Sequence, residues 1–237
     1  MVEWGLLPVT DNTNTCVHLV HWGGPLGKEC LGAICIYGAA FDLKGSVWVC
    51  DIANNILKLS RCRPLQDIRQ VGDGRFKFPC FMSVSSEGQI YTCDSGNDRV
   101  TVHDEEGKYQ FTFGSKGSGP GCFDLPRDIT FGSDGLAYVT DVGNKTIYVW
   151  LMKGTFKGDF KPKHAPRCIA ATGDNHLLIT SFFSHTVMVC TLDGQLVHEF
   201  GGSGSDPGKF NGPCGICVNN DGLVYVADRS NRHVQVF

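Results

Sequence analysis

The feature that most constrains the fold is an internal repeat of 40 to 47 residues. In the last copy, an Asp221-Gly222 pair is followed by the run Val224-Tyr225-Val226 and then by Asp228. The same series returns, with some replacements, in copies that begin at Ile36, Pro79, Pro126, Pro166 and Pro213. Five copies predict five equivalent structural units, because a unit of this size cannot bury its apolar face alone.

Each copy divides into short runs in which apolar and polar residues alternate, separated by turn residues. The first run follows the proline position, and the second contains the Val-Tyr-Val sequence. The third run is Val234-Gln235-Val236 in the last copy, and a fourth run such as Phe111-Thr112-Phe113 precedes a glycine. Four antiparallel strands in about 45 residues are typical of a β-propeller blade. The predicted fold is therefore all-β: a β-propeller of four-stranded antiparallel blades, with five repeats.

The two ends of the sequence suggest how such a ring closes. The fifth copy reaches Phe237 after its third strand, and residues 15–24 have the pattern of a fourth strand. We therefore expect the N-terminal strand to complete the last blade and close the ring, because an open edge invites aggregation. The alternative is a truncated, open ring. The expected division is an N-terminal extension, residues 1–14, followed by the propeller, residues 15–237.

Composition and cysteine spacing limit the possible classes of protein. The chain is 42% hydrophobic with a net charge of −3, which excludes a disordered chain and a uniformly basic nucleic-acid binder. It shows no leader sequence and no apolar run long enough to span a bilayer, so we expect a soluble cytoplasmic protein without a membrane partner. The 12 cysteines include one C-x₂-C pair, Cys214 and Cys217, and are expected to be reduced thiols. We expect no cofactor and no metal.

The proline position, the Asp-Gly turn, the Val224–Asp228 run and the following Asn231 resemble the NHL repeat. The resemblance extends over residues 15–237 and is greatest to the C-terminal NHL domains of TRIM-NHL proteins, which are linked to ubiquitin ligases. It implies a non-catalytic module that recruits a protein partner, as the substrate-recognition domain of a ubiquitin-ligase-type protein. The alternative that it implies is binding of single-stranded or stem-loop RNA. Those domains usually have six blades, whereas this chain has five copies.

Charge is distributed unequally between the two ends of the predicted blades. The turns between second and third strands, the residues after the proline position and the crossover loops share one end, called the top here. These segments carry an excess of lysine and arginine, whereas the turns at the other end carry mainly aspartate and glutamate. A positive surface attracts anionic partners, and exposed aromatic rings add contact area for a protein or an RNA base. The candidate binding residues on the top are Phe81, Arg99, Arg127, Lys145, Arg167, Phe182, Phe183, His185, Arg229 and Arg232.

Several of these residues have a structural alternative. Arg99 and Arg232 could instead pair with the preceding Asp94 and Asp228. Phe182 and Phe183 could equally fill the space left where serine replaces aspartate in the fourth copy. Arg127 and Arg167 are favoured as functional, because a residue directly after the proline should project toward the central channel. The recurrent aspartates are interpreted as acceptors of backbone N–H groups in the turn after the second strand; they are Asp51, Asp94, Asp141 and Asp228.

An enzyme is the remote alternative. Lyases built on the NHL scaffold hold zinc through histidines directly after the proline, but those positions here are Cys80, Arg127, Arg167 and Cys214. Lactonase propellers require an inward cluster of acidic residues, and the starts of the first strands offer only Asp128. The eight histidines show no metal-ligand spacing. We therefore predict no catalysis by this chain.

Overall fold

Strands account for almost all the regular structure of this protein. The computed structural model describes residues 6–11, 16–21, 24–30, 36–51, 56–61, 66–71 and 75–237. Within these ranges the structure contains β-strands and one 3-10 turn, Ser95–Asn97. The chain forms two compact units, residues 1–112 (unit 1) and residues 113–237 (unit 2).

Unit 1 contains three antiparallel sheets of consecutive strands. The first has three strands, and the second and third have four strands each, as predicted for blades of the first two copies. The strands are β1 Leu6–Asp11, β2 Cys16–His21, β3 Gly24–Cys30, β4 Ile36–Phe41, β5 Ser46–Asp51, β6 Ile56–Arg61, β7 Gln66–Val71, β8 Pro79–Val84, β9 Ile90–Asp94, β10 Arg99–His103 and β11 Tyr109–Phe113.

The predicted role of the N-terminal strand is wrong. Strand β2 is the middle strand of the first sheet and pairs with β1 on one side and with β3 on the other. Both edges of β2 are therefore occupied, and it cannot complete the last blade. Pairing with neighbouring strands is favoured because closing a short loop costs less conformational entropy than pairing with a strand some 200 residues away. Residues 1–5 and 12–15 lie outside the described ranges, and the division at residue 14 stays a prediction.

Unit 2 contains two four-stranded sheets and one three-stranded sheet, which correspond to the third, fourth and fifth copies. The short parallel pair of β12 and β13 precedes them. The strands are β12 Ser115–Lys116, β13 Cys122–Phe123, β14 Pro126–Phe131, β15 Leu136–Asp141, β16 Thr146–Leu151, β17 Phe156–Phe160, β18 Ile169–Ala171, β19 His176–Ser181, β20 Thr186–Thr191, β21 Leu196–Gly201, β22 Pro213–Val218, β23 Val224–Asp228 and β24 His233–Val236.

Burial differs between the second and fourth strands of the sheets. The second strands β5 and β9 are buried at every residue, whereas the fourth strand β17 alternates between half-buried and exposed residues. A second strand is covered on both faces by neighbouring sheets, so its apolar run is nearly continuous, while a fourth strand lies on the outside. This gradient is the one expected for propeller blades, and the predicted fold class is confirmed.

Threonine hydroxyls join successive sheets of unit 2 at their first strands. Thr140 on β15 accepts the Asp128 N–H at 2.9 Å and donates to the Arg167 carbonyl, in the next copy, at 3.1 Å. Thr180 on β19 repeats this arrangement: it accepts the Cys168 N–H and donates to the Cys214 carbonyl at 2.7 Å. Each hydroxyl satisfies buried backbone groups of two sheets at once, so β14, β18 and β22 lie side by side.

Apolar side chains fill the space between neighbouring sheets. Ile147, Ile179 and Met188 belong to one buried cluster between the third and fourth copies, and Val187, Phe210 and Val226 belong to another between the fourth and fifth. The fifth sheet has the three strands of its own copy and not the fourth strand that was expected from the N-terminal segment. Consequently Val234 on β24 is 38% exposed, although the equivalent Val187 in the complete fourth sheet is fully buried.

Eight cysteines are free thiols, five of them buried; the eight are Cys50, Cys80, Cys93, Cys122, Cys168, Cys190, Cys214 and Cys217. No helix in the described part of the chain has the length and apolar character that crossing a bilayer requires.

Candidate functional site

The recurrent aspartates hold the crossover segment that precedes their own sheet. Asp141 accepts the backbone N–H of Asp124 at 2.7 Å and that of Asn144 at 2.8 Å. The side-chain amide of Asn144 donates to the Gly117 carbonyl at 2.9 Å. Together, Asp141 and Asn144 fasten the turn after β15 to the loop that enters β14; we call this arrangement the Asp-Asn latch.

The latch recurs in two other copies. Asp94 accepts the Lys77 N–H at 2.7 Å, and Asp228 accepts the Asn211 N–H at 2.8 Å. The side-chain amide of Asn231 donates to the Gly204 carbonyl at 2.9 Å. The interpretation of these aspartates as backbone acceptors is confirmed, but most of their donors lie 17 residues upstream rather than in the turn. Residues 52–55, which would form the turn after Asp51, lie outside the described ranges.

Arg99 belongs to the latch of the second copy. Its Nε donates to the buried Asp94 carboxylate at 2.8 Å, and its Nη2 donates to the Arg75 carbonyl at 3.2 Å. Arg232 does not have the equivalent role: the Asp228 carboxylate is contacted by His233, at 3.2 Å, and by Gln235, at 3.0 Å. The structural alternative therefore applies to Arg99, whereas the exposed Arg232 stays a binding candidate.

The fourth copy lacks the latch, and aromatic residues occupy its turn. Phe182 and Phe183 follow Ser181 directly after β19, with their rings 5.2 Å apart at nearly a right angle. The guanidinium of Arg167 lies 5.1 Å from the centre of the Phe182 ring, and that of Arg229 lies 5.9 Å from it. These four side chains, Arg167, Phe182, Phe183 and Arg229, form the Phe182 cluster.

Contacts with Gly212 fix the position of this turn. The Gly212 N–H donates to Nδ1 of His185 at 3.0 Å, so the imidazole accepts at that nitrogen. A Cβ on Gly212 would lie 2.6 Å from Cε2 of Phe182, and the residue has a φ of +68°. Only glycine fits both the close approach and the left-handed backbone. His185 therefore supports the cluster, a role that the sequence pattern did not indicate.

The cluster presents one aromatic ring to solvent. Phe183 is 78% exposed, and Arg229 beside it is also exposed. Phe182 is half-buried with both guanidinium groups near its ring, where cation–π attraction favours this arrangement. Lys145 and Arg232 are exposed in the equivalent turns of the adjacent copies. Five of the predicted residues, Lys145, Arg167, Phe183, Arg229 and Arg232, thus lie at the same ends of the unit 2 sheets.

Arg127 lies at a partly buried junction of β14 and β18. Its neighbour Asp128 is buried and accepts the Ile129 N–H at 2.8 Å and the Ile169 N–H at 3.1 Å. Burial raises the pKa of Asp128 to about 7, although these hydrogen bonds, the Cys168 thiol and the Arg127 charge oppose the shift. Burial also raises the pKa of Cys168 well above its ordinary value, while the Arg127 and Arg167 charges lower it.

Phe81 packs within unit 1. Its ring lies 6.3 Å from that of Tyr37 in an edge-to-face contact, and its backbone passes close to Gly38. The structure thus gives Phe81 and Arg99 packing or pairing roles, whereas Phe183, Lys145, Arg229 and Arg232 are directed to solvent.

Acidic residues occupy the opposite ends of the unit 2 strands. Asp134, Asp174 and Asp193 line an open concavity together with His176, at the start of β19, whereas the Phe182 cluster follows the end of β19. A six-residue strand separates the two regions by about 17 Å. Unit 2 is therefore acidic at one end of its strands and basic at the other. Nowhere in the described ranges do three or more His, Cys, Asp or Glu side chains gather as metal ligands.

Comparison with known proteins supports the interpretation of the repeat. The NHL repeat model matches residues 210–237, so the resemblance is confirmed at the fifth copy. The E3 ubiquitin-protein ligase TRIM71 of Xenopus tropicalis is 51% identical over 39 residues, which are 16% of this chain and 5% of that protein. The aligned segment is thus a small part of the relative's length.

Solved structures share the fold. The nidogen/laminin complex gives a TM-score of 0.79 at 16% identity, with 98% of this chain and 88% of that chain covered. A streptogramin B lyase gives a TM-score of 0.75 at 17% identity, with 98% of this chain and 75% of that chain covered. At this identity the likeness shows the fold alone, and the same scaffold occurs in both a binding protein and an enzyme.

Proposed function

We propose that this NHL-repeat protein is a non-catalytic binding module that recruits a protein partner through the Phe182 cluster. The observation that carries the proposal is the 78% exposure of Phe183 beside Phe182 and two arginines. Aromatic and arginine side chains are the residues that most often dominate the energy of protein–protein interfaces. A large exposed ring costs stability in water, and a partner that covers it recovers that cost.

The similarity to TRIM71 extends the proposal to ubiquitination. The module would act as the substrate-recognition part of a ubiquitin-ligase-type protein in the cytoplasm, with the ligase chemistry supplied elsewhere. The shared segment of 39 residues is the support for this step.

RNA is the second candidate partner, and the charges of the same region favour it. Lys145, Arg167, Arg229 and Arg232 are four cations near two aromatic rings, and single-stranded RNA is bound through phosphate neutralisation and base stacking. Binding of this kind weakens steeply as salt increases, because each neutralised phosphate releases counterions. An interface centred on Phe183 would tolerate salt better.

A capture experiment separates the candidates. The chain is immobilised, exposed to cell lysate with and without ribonuclease, and washed at low and high salt, for the wild type, Phe183→Ala and Arg167→Glu/Arg229→Glu. Two control variants match these changes away from the cluster: Val197→Ala, which truncates another exposed apolar residue, and Lys153→Glu/Lys157→Glu, which reverses two exposed charges.

We expect a set of proteins that the wild type and both controls capture, that Phe183→Ala loses, and that resists ribonuclease and high salt. Purified members of that set should then bind the isolated chain directly. Loss of the captured set on ribonuclease treatment would support RNA instead. Equal capture by Phe183→Ala and the wild type would exclude the Phe182 cluster as the binding site.

A further inference from the structure

A leucine with an unfavourable backbone conformation stands at the start of the third copy. Leu125 directly precedes Pro126, the first residue of β14, and has a φ of +62°. This left-handed region disfavours bulky side chains, and proline disfavours it further in the residue before it, whereas glycine adopts it without steric cost. Gly212 holds the equivalent position of the fifth copy, with a φ of +68°. Leucine is thus the more costly residue here, and such strain is concentrated at functional sites.

The side chain of Leu125 also faces water. It is 49% exposed, and the Leu125 carbonyl accepts the N–H of Val142, in the turn after β15, at 3.3 Å. Leu125 therefore lies at the same ends of the unit 2 sheets as the Phe182 cluster. Two exposed apolar side chains, Leu125 and Phe183, are available at these ends for a partner to cover.

Arg167 lies between these two apolar side chains. The starts of β14, β18 and β22 lie side by side. Leu125 precedes β14, Arg167 precedes β18, and Gly212, which the Phe182 cluster contacts, precedes β22. Packed sheets are about 10 Å apart, so Leu125 and the Phe182 cluster are separated by about 20 Å. An extended segment of about six residues spans this distance.

Basic side chains line the path between them. Lys145 has the position in the third copy that His185 has in the fourth, where it contacts the residue before the next sheet. Lys145 is therefore expected beside the start of β18, next to Arg167. In the part of the chain that the structure describes, no carboxylate pairs with Lys145, Arg167 or Arg229. The Nε of Arg167 is enclosed, so a ligand meets its Nη atoms. Cations without an acidic partner favour an anionic ligand.

We propose, on the basis of the function proposed above, that the partner binds through an extended acidic segment. The segment crosses the starts of β14, β18 and β22, with one apolar side chain on Leu125 and another on Phe183. Carboxylates between these two side chains pair with Lys145 and Arg167. Leu125 favours protein over RNA, because a leucine adds contact area for an apolar side chain but has no aromatic face on which a base can stack.

Selection from a phage library of random twelve-residue peptides tests this chemistry. The library is selected on immobilised wild type, and the recovered phage are compared for binding to wild type and to Phe183→Ala. We expect peptides that require Phe183 to carry Asp and Glu between two apolar residues about six positions apart. Such peptides without acidic enrichment would overturn the proposal and leave the Phe182 cluster as a protein-binding site. Absence of such peptides would also overturn it, and the lysate capture then decides whether the proposed function stands.

A synthetic peptide from the selection measures the individual contacts by fluorescence anisotropy. Leu125→Gly, which removes the side chain and suits the left-handed backbone, should weaken binding about tenfold. Lys145→Gln/Arg167→Gln should weaken binding by a similar factor. A second peptide, in which amides replace the acidic residues, should bind wild type and this double variant equally. Thermal unfolding of each variant shows that it is folded.

Leu196→Ala, which truncates an exposed leucine on β21, and Lys153→Gln/Lys157→Gln are the matched controls and should bind the peptide as the wild type does. Full affinity of Leu125→Gly would overturn the proposed path of the segment. A labelled pool of random single-stranded RNA of twelve nucleotides is the last probe. Tighter binding of this pool than of any selected peptide, with no loss in Leu125→Gly, would overturn the proposal in favour of RNA.

Discussion

The turns after β15 and β19 occupy equivalent places in neighbouring sheets, yet their side chains have different roles. Both turns have the same backbone, with a left-handed residue at the same position: Lys145 has a φ of +54° and His185 a φ of +58°. The turn after β15 is fastened by the buried Asp141 carboxylate. The turn after β19 is held by His185 and by the packing of Phe182 on Gly212.

The comparison shows that two neighbouring copies use the same turn differently: the turn of the third copy stabilises the fold, whereas the turn of the fourth copy exposes an aromatic ring. In the latch turn the chain uses its polar side chains for internal hydrogen bonds. In the turn of the fourth copy, His185 and Phe182 instead contact Gly212 in the next crossover loop, and Phe183 is left exposed to solvent. A repeat that breaks its own pattern in this way is expected where function overrides local consistency.

The largest effect should come from removing the latch. Asp141→Ala leaves the Asp124 and Asn144 N–H groups without their acceptor, and should lower the free energy of unfolding by about 3 kcal/mol. Urea denaturation followed by circular dichroism measures this loss. Asp159→Ala removes an exposed carboxylate from β17 and is the matched control. A loss no larger than that of the control would contradict the latch.

The latch should also give the protein a pH dependence that the fourth copy lacks. Burial raises the pKa of Asp141 from 3.8 to about 6, against the hydrogen bonds that it accepts. The folded state then binds more protons than the unfolded state between these values. This stabilising contribution is full below about pH 4 and is lost as pH rises through about 6, by about 2 kcal/mol in total.

Urea denaturation from pH 4 to 8 tests this dependence. Asp128 acts in the same direction up to about pH 7, so the difference between wild type and Asp141→Asn isolates the latch. Asp141→Asn should have a flatter profile than wild type, and Ser181→Ala should keep the wild-type slope. Parallel profiles for wild type and Asp141→Asn would show that the pKa of Asp141 is not raised.

Phe182→Ala should have an intermediate effect. It removes the ring that Arg167 and Arg229 contact and opens space next to Gly212, and should cost about 1–2 kcal/mol of unfolding free energy. This is less than a fully buried phenylalanine, because the ring is only half-buried. Phe123→Ala, in the buried core of the third copy, should cost more and sets the upper reference in the same denaturation series. Equal losses of unfolding free energy for Phe182→Ala and Phe123→Ala would show that Phe182 packs as a core residue rather than as part of a surface cluster.

The smallest effect on stability is expected at the residue most important for binding. Phe183→Ala should change the unfolding free energy by less than about 0.5 kcal/mol, because the ring is mostly in solvent. It should nevertheless abolish capture of the partner set. A large loss of stability would mean that Phe183 supports the turn, and the difference between the two copies would then be one of packing alone.

Much of the architecture could be predicted because short-range patterns determine it. The Asp-Gly turns, the alternation within each run and the return of the same residues in each copy were sufficient for the strands of the described copies, but not for the fifth sheet, which was expected to gain a fourth strand from residues 15–24. The pairing of Arg99 with Asp94, five positions away, was named only as the alternative to a binding role. The exposed Phe183 and its arginine neighbours were named as candidates, but not their grouping around Phe182.

The sequence by itself determined the repeat and the class of fold, since both depend on patterns within each copy, and it identified the aspartates as backbone acceptors although most of their donors lie 17 residues upstream. Tertiary structure decided the rest. It brought Arg167 and Arg229 to one ring from positions 62 residues apart, and left a cavity where His103 replaces a tryptophan of the third copy. The physical reason is that such contacts depend on which distant surfaces meet, and on which volumes they fail to fill, neither of which is encoded in local periodicity.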